Sequence, residues 1–245
     1  MVDSSNLFLP GFFCSMPSDS SSDSALRSSV NLVRSSHTWT EADSAAGFVL
    51  RYLTPMRRQL TQILGGKDHA DEALKILLSH LVQAGFGEHK RGRLRDFLAR
   101  GVRSCAKARM NDMPEAERGK VNLDAITLNS KDWMLFWRDC MLERAWRALE
   151  RHEHKEPDPA VYSVLSMATT HPKAGSGELA AKVSEKFGRE LTASQVDAAL
   201  VPARALFAQL IADEIVETLE SPNKSDVKEE IKLLGMAHAF SGLSI

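Results

Sequence analysis

The chain has 245 residues, 43% hydrophobic and 26% charged, with a formal net charge of −1. This is the composition of a soluble globular protein, with enough apolar residues for one large core or two small ones. Three cysteines (Cys14, Cys105 and Cys140), odd in number and far apart, exclude a disulfide framework and a paired zinc-ligand spacing and fit a reducing cytoplasm.

Residues 1–36 are dominated by serine, and such a segment buries too little apolar surface to offset the entropy of ordering, so it is expected to be a disordered tail. The apolar patch Leu7 to Phe13 follows Asp3 and is interrupted by Pro10 and Gly11, which argues against an export signal. No run approaches the roughly 18 apolar residues of a spanning helix, so no membrane is expected as a partner. From Thr40, read as a helix cap, a first helix carries Phe48, Val49, Tyr52 and Leu53 and is kinked or restarted at Pro55. A second runs from Met56 to Leu64 and stops at Gly65-Gly66. A third opens at Asp68 and continues through Ala73, Leu74, Leu77, Leu78 and Leu81.

The fourth helix concentrates charge. Between Glu88 and Arg109 stand eight Lys or Arg against two acids, while Leu94, Phe97, Leu98, Val102 and Cys105 keep a helical rhythm. Gly92 marks the turn into it. Arg93, Arg95, Arg100, Arg103, Lys107 and Arg109 are thereby expected on the remaining surface, where a phosphate backbone is the commonest partner and a solvated helix face the alternative. Residues 111–130 read as a connector. A strong helix follows from Trp133 to Glu153, with Trp137, Met141, Leu142, Ala145, Trp146 and Leu149 on one side, stopped by Pro157 and Pro159. His152 and His154 point apart, so the run around Glu153 reads as a solvated helix end rather than a metal site.

Near the C-terminus, Gly177 to Phe187 forms one helix, Gly188 to Leu191 a turn, and Thr192 caps the next, which carries Val196, Leu200, Leu206, Phe207, Leu210 and Ile211 inward and is bent at Pro202. This is the outline of a helix-turn-helix, shared with any helical hairpin. Val227 to His238 supplies a last helix. With no strand-period alternation anywhere, the expected fold is all-α.

Four helices ending in a basic one, a linker and a terminal helix-turn-helix resemble, in order, the extracytoplasmic-function sigma factors of bacterial RNA polymerase, most closely their divergent planctomycete group. His37-Thr38-Trp39-Thr40 is similar to that group's His-Thr-x-Trp-Ser opening, and Ala70-Asp71-Glu72-Ala73 to its Ala-Glu-Asp helix. Gly92-Arg93-Leu94-Arg95-Asp96-Phe97-Leu98 resembles its Gly-Arg-Phe-Arg-x-Phe-Leu, with Arg103-Ser104 in the place of Arg-Asn. Leu123-Asp124, Phe136-Trp137-Arg138, the run Ile211 to Leu219 and the run Val227 to Ile231 complete a collinear match over about residues 37 to 236.

The resemblance implies domains at 37–112 (sigma region 2-like), 113–160 (linker and connecting helix) and 161–245 (sigma region 4-like helix-turn-helix). It implies RNA polymerase core and promoter DNA as partners, an anti-sigma or other regulatory protein as a further one, a cytoplasmic location, no cofactor, no metal and no catalysis. Asp71, Glu72, Lys75 and Leu78 would face the polymerase. Arg91, Arg93, Arg95, Arg100, Arg103, Lys107 and Arg109 would hold the melted strand, and Thr192, Ser194, Gln195 and Arg204 would face the upstream element. The chain departs from the family at Lys75-Ile76, where Gln-Glu is usual, and at Ser104, where Asn is usual. Ser176 to Glu220 also holds eight acids against four bases, a balance that repels phosphates. A degenerate sigma-like regulator, or a helical protein-binding adaptor that no longer reads promoters, is the alternative reading.

Overall fold

Helix after helix forms along the chain in the computed structural model, which describes residues 29–33, 37–89 and 91–244; the Ser-rich tail up to residue 28, with its apolar patch, lies outside the described residues. The described residues are all-α, with isolated bridges but no β-strand. The elements are α1 (Ala45–Val49), α2 (Leu53–Leu64), α3 (Lys67–Ala84), α4 (Leu94–Asn111), α5 (Glu115–Arg118), α6 (Lys131–Lys155), α7 (Val161–Thr170), α8 (Ser176–Phe187), α9 (Ala193–Glu217) and α10 (Lys224–Leu233). No helix of the described residues is long and apolar enough to cross a membrane.

The helices divide into two compact units that are not contiguous in sequence. One comprises residues 31–145 and 209–237; the other comprises 146–208 with the described residues of 1–30 and 238–245. The divisions fall inside α6 and α9, so they differ from the boundaries expected at 112/113 and 160/161. Both helices carry buried apolar residues along their whole length, Trp133 to Leu149 in α6 and Val196 to Val216 in α9, and each therefore contributes to both units.

In the larger unit α2, α3 and α4 pack pairwise. Trp39, fully buried, packs against Phe86 and Phe97 at centroid distances of 5.0 and 5.6 Å. Thr40 is not a helix cap. Thr38 and Glu41 form a capping box around a short 3₁₀ turn, Trp39–Glu41, and α1 starts later, with the Ser44 hydroxyl accepting from the Gly47 amide. Pro55 falls in the first turn of α2, where a missing N–H is tolerated. Val30 and Leu32, which fall inside the segment expected to be a disordered tail, are buried.

Helices α3 and α4 approach closely at Gly101, where an added Cβ would stand 3.0 Å from Leu77 Cδ1. Gly101→Leu should therefore force these helices apart and cost about 1–3 kcal/mol, read as a lower urea midpoint with unchanged slope; an unaltered midpoint would show that the interface has room.

In the smaller unit α7, α8 and the first part of α9 enclose a core of Val164, Met167, Leu179, Val183, Val196 and Ala199. Helix α7 is absent from the sequence reading. Its run VYSVLSMATT is apolar without a clean stripe, and the preceding Pro157 and Pro159 read only as the stop of the helix before them. Helix α9 continues through Pro202. The last helix starts three residues earlier than expected, because Asn223 accepts from the amides of Ser225 and Asp226 while Asp226 answers to the Asn223 amide.

Candidate nucleic-acid interface

Helix α4 begins after Gly92, whose φ of +77° is the left-handed conformation that makes the turn. Its apolar stripe of Leu94, Leu98, Val102 and Cys105 is buried as the rhythm requires, with Phe97 half-buried in the aromatic cluster. Burial pushes the Cys105 thiol up to about 12, so it is a packing residue without a reactive thiolate.

The cations of α4 divide into two sets. Arg95 does not face solvent, contrary to the sequence reading: it is 1% exposed. Its Nε and Nη2 donate to Glu230 Oε1 and Oε2 at 3.0 and 3.3 Å, and its Nη1 donates to the Leu128 carbonyl at 3.1 Å. The reason is positional, since residue 95 stands three before Leu98 and seven before Val102 and so shares their face. Arg93 is held by two acids of α10, with Nη2 3.0 Å from Glu229 and Nε 3.1 Å from Glu230. Arg109 is also turned inward. Its Nη2 donates to His69 Nδ1 at 3.0 Å, which leaves the proton on Nε2, 3.2 Å from Glu117.

Arg91, Arg100 and Lys107 remain exposed, and Arg103 is half-exposed. Arg103 also organises the connector, donating to the carbonyls of Leu123 and Ile126 and to Asp124. Arg100, Arg103 and Lys107 fall at i, i+3 and i+7, one stripe on the outer face of α4 with Ser104 beside it.

On α3, the four residues expected to face the polymerase are engaged in different contacts. Asp71 is clamped by Arg57, Nε and Nη2 each on a separate oxygen, and this pairing holds the carboxyl below its ordinary range. Glu72 and Lys75 pair at 2.6 Å, which lowers one pKa and raises the other. Leu78 is half-buried. Glu72 and Lys75 do meet Ile76, Ser79, His80 and Gln83, with Arg109 and Asp112 from the end of α4, around an open hollow of about 530 Å³. Neither Asp71 nor Leu78 lines it.

In the smaller unit, α8 ends at Gly188 in the left-handed conformation, and α9 opens on a reciprocal cap. The Thr192 amide donates to Gln195 Oε1 at 2.8 Å, and the Gln195 amide donates to Thr192 Oγ1 at 3.2 Å. Thr192 and Gln195 thus fold the turn; Ser194 and Arg204 are exposed.

Two acids and one base that organise these surfaces escaped the sequence reading. Glu153, read as part of a solvated helix end, is buried, accepting from the amides of Tyr162 and Ser163 and from the Ser163 hydroxyl. Arg189, in the turn, donates to the same carboxylate at 2.9 Å. Glu230 is the third. Position could have found both acids: 153 continues the stripe of Trp146 and Leu149, and 230 lies between Val227 and Leu234.

No family model matches the chain, and no curated protein or solved structure matches it.

Proposed function

We propose that the chain is a sigma-factor-like transcription initiation protein, without chemistry of its own, that binds RNA polymerase core and holds DNA along α4. The observation that carries this reading is the exposed stripe Arg100, Arg103 and Lys107, which extends about 10 Å along the helix and suits neighbouring phosphates of one strand. The hollow on α3, with exposed Ile76 at its edge, is the face offered to the polymerase.

A second reading, a sigma-like regulator that does not read promoters, is favoured by α9. Its exposed opening presents Ser194, Asp197, Ala198 and Val201, with no Lys or Arg before Arg204, and an acid in that place repels the backbone.

The test has two arms. In the first, tagged protein is used to capture purified polymerase core, with Glu72→Ala/Lys75→Ala as control; capture that the control loses supports the α3 face. In the second, anisotropy with a duplex containing an unpaired bubble should show Arg100→Ala/Lys107→Ala losing about tenfold in affinity at low salt, with a shallower salt dependence. Unchanged affinity would remove α4 from DNA binding, and core capture alone would then leave the second reading.

A further inference from the structure

The segment after α9 lies against the start of α4. The Leu94 amide donates to the Thr218 carbonyl at 2.8 Å, and residues 93 and 219 form an antiparallel bridge. This pairing sets three carboxylates on the donors that open α4. Glu220 accepts from the Gly92 amide at 2.5 Å, Glu229 from Arg93 at 3.0 Å, and Glu230 from both Arg93 and Arg95. A backbone N–H and a guanidinium are the donors that a phosphate oxygen takes, and a carboxylate competes for them with nearly the same geometry.

The three acids differ in accessibility. Glu230 and Arg95 are 2% and 1% exposed and form a fixed anchor. Glu220 is exposed, Glu229 is 59% exposed and Arg93 is 30% exposed. The two outer acids can therefore swing away by side-chain rotation, without breaking the backbone pairing or the buried pair.

We propose that Glu220 and Glu229 mask a phosphate site made of the Gly92 amide and the Arg93 guanidinium, so that the free protein inhibits its own binding to nucleic acid. The proposal rests on the reading of α4 as a nucleic-acid helix, and it extends that surface toward the start of the helix. DNA engages the site by displacing the two carboxylates, which lowers affinity for short or partial contacts and reserves the site for a strand already held by Arg100 and Lys107.

The experiment measures the affinity of the full chain for the bubble duplex over a salt series. Glu220→Gln/Glu229→Gln should tighten binding about threefold to tenfold and steepen the salt slope by about 0.7 for each phosphate gained. Arg93→Ala in that background should abolish the gain, with circular dichroism verifying the fold. A charge-matched pair elsewhere, Glu115→Gln/Glu156→Gln, should not reproduce it. Equal tightening by the matched pair, a gain that survives Arg93→Ala, or no gain at all would each overturn the masking. Failure of the α4 reading is distinguishable, because then Arg100→Ala/Lys107→Ala leaves the parent chain's affinity unchanged.

Discussion

Arg95→Ala should destabilise the larger unit by about 3–5 kcal/mol, because it leaves the Glu230 carboxylate buried with half of its partners removed. Against a total stability of about 5–15 kcal/mol this is a large fraction, and the urea midpoint should fall accordingly. Arg95→Lys should recover only part of the loss, since an ammonium cannot fork across both oxygens of Glu230 and reach the Leu128 carbonyl as well. Replacing both partners, Arg95→Met with Glu230→Leu, removes the unpaired charge and should restore more than Lys does. Arg93 and the Leu128 carbonyl each lose a partner, which keeps the restoration incomplete. At a temperature where Arg95→Ala is still folded, its affinity for bubble DNA should match the parent's. A parent-like urea midpoint would mean that the pair contributes nothing to the fold; a large loss of affinity with the fold intact would return Arg95 to the DNA surface.

The all-α class was legible because the apolar spacing is regular in α2, α3, α4 and α6, and so were the approximate spans of those helices. The cap at Thr192 and the turn at Gly188 were legible from local chemistry, as each acts within a few residues. The site was less legible. Counting cations over residues 88–109 identifies a charged helix but not which cations are free, because the acids that claim Arg93 and Arg95 lie more than a hundred residues away on α10. The overall charge of −1 already implied that this positive cluster is balanced somewhere in the chain. What went unused was phase: a charged residue on an apolar stripe must be paired or expelled, and Arg95, Glu153 and Glu230 all stand on such stripes. Connectivity was less legible still, since the sequence reads as consecutive domains and nothing local says that α9 and α10 return to the unit built by α1 to α6.

Polar burial also decides the smaller unit, whose apolar core is built largely from small side chains. Helix α7 starts after Ala160, which offers no side-chain cap, and its opening amides at Tyr162 and Ser163 are instead satisfied by Glu153, contributed by α6. The same carboxylate neutralises Arg189, which in turn ties the α8–α9 turn to the Pro157 carbonyl. Glu153→Ala strands two amides, the Ser163 hydroxyl and one guanidinium at once, and with each unpaired donor costing about 1–3 kcal/mol the expected loss is at least about 4 kcal/mol. Glu153→Gln keeps an acceptor oxygen but gives up the charge, and should cost about half as much. Hydrogen exchange locates the effect: protection of the Tyr162 and Ser163 amides should collapse first, followed by the rest of α7, while α2, α3 and α4 keep theirs. Retained protection at Tyr162 and Ser163 in Glu153→Ala would mean that α7 is capped by other means, and the fixed turn ahead of α9 would then need another explanation than this carboxylate.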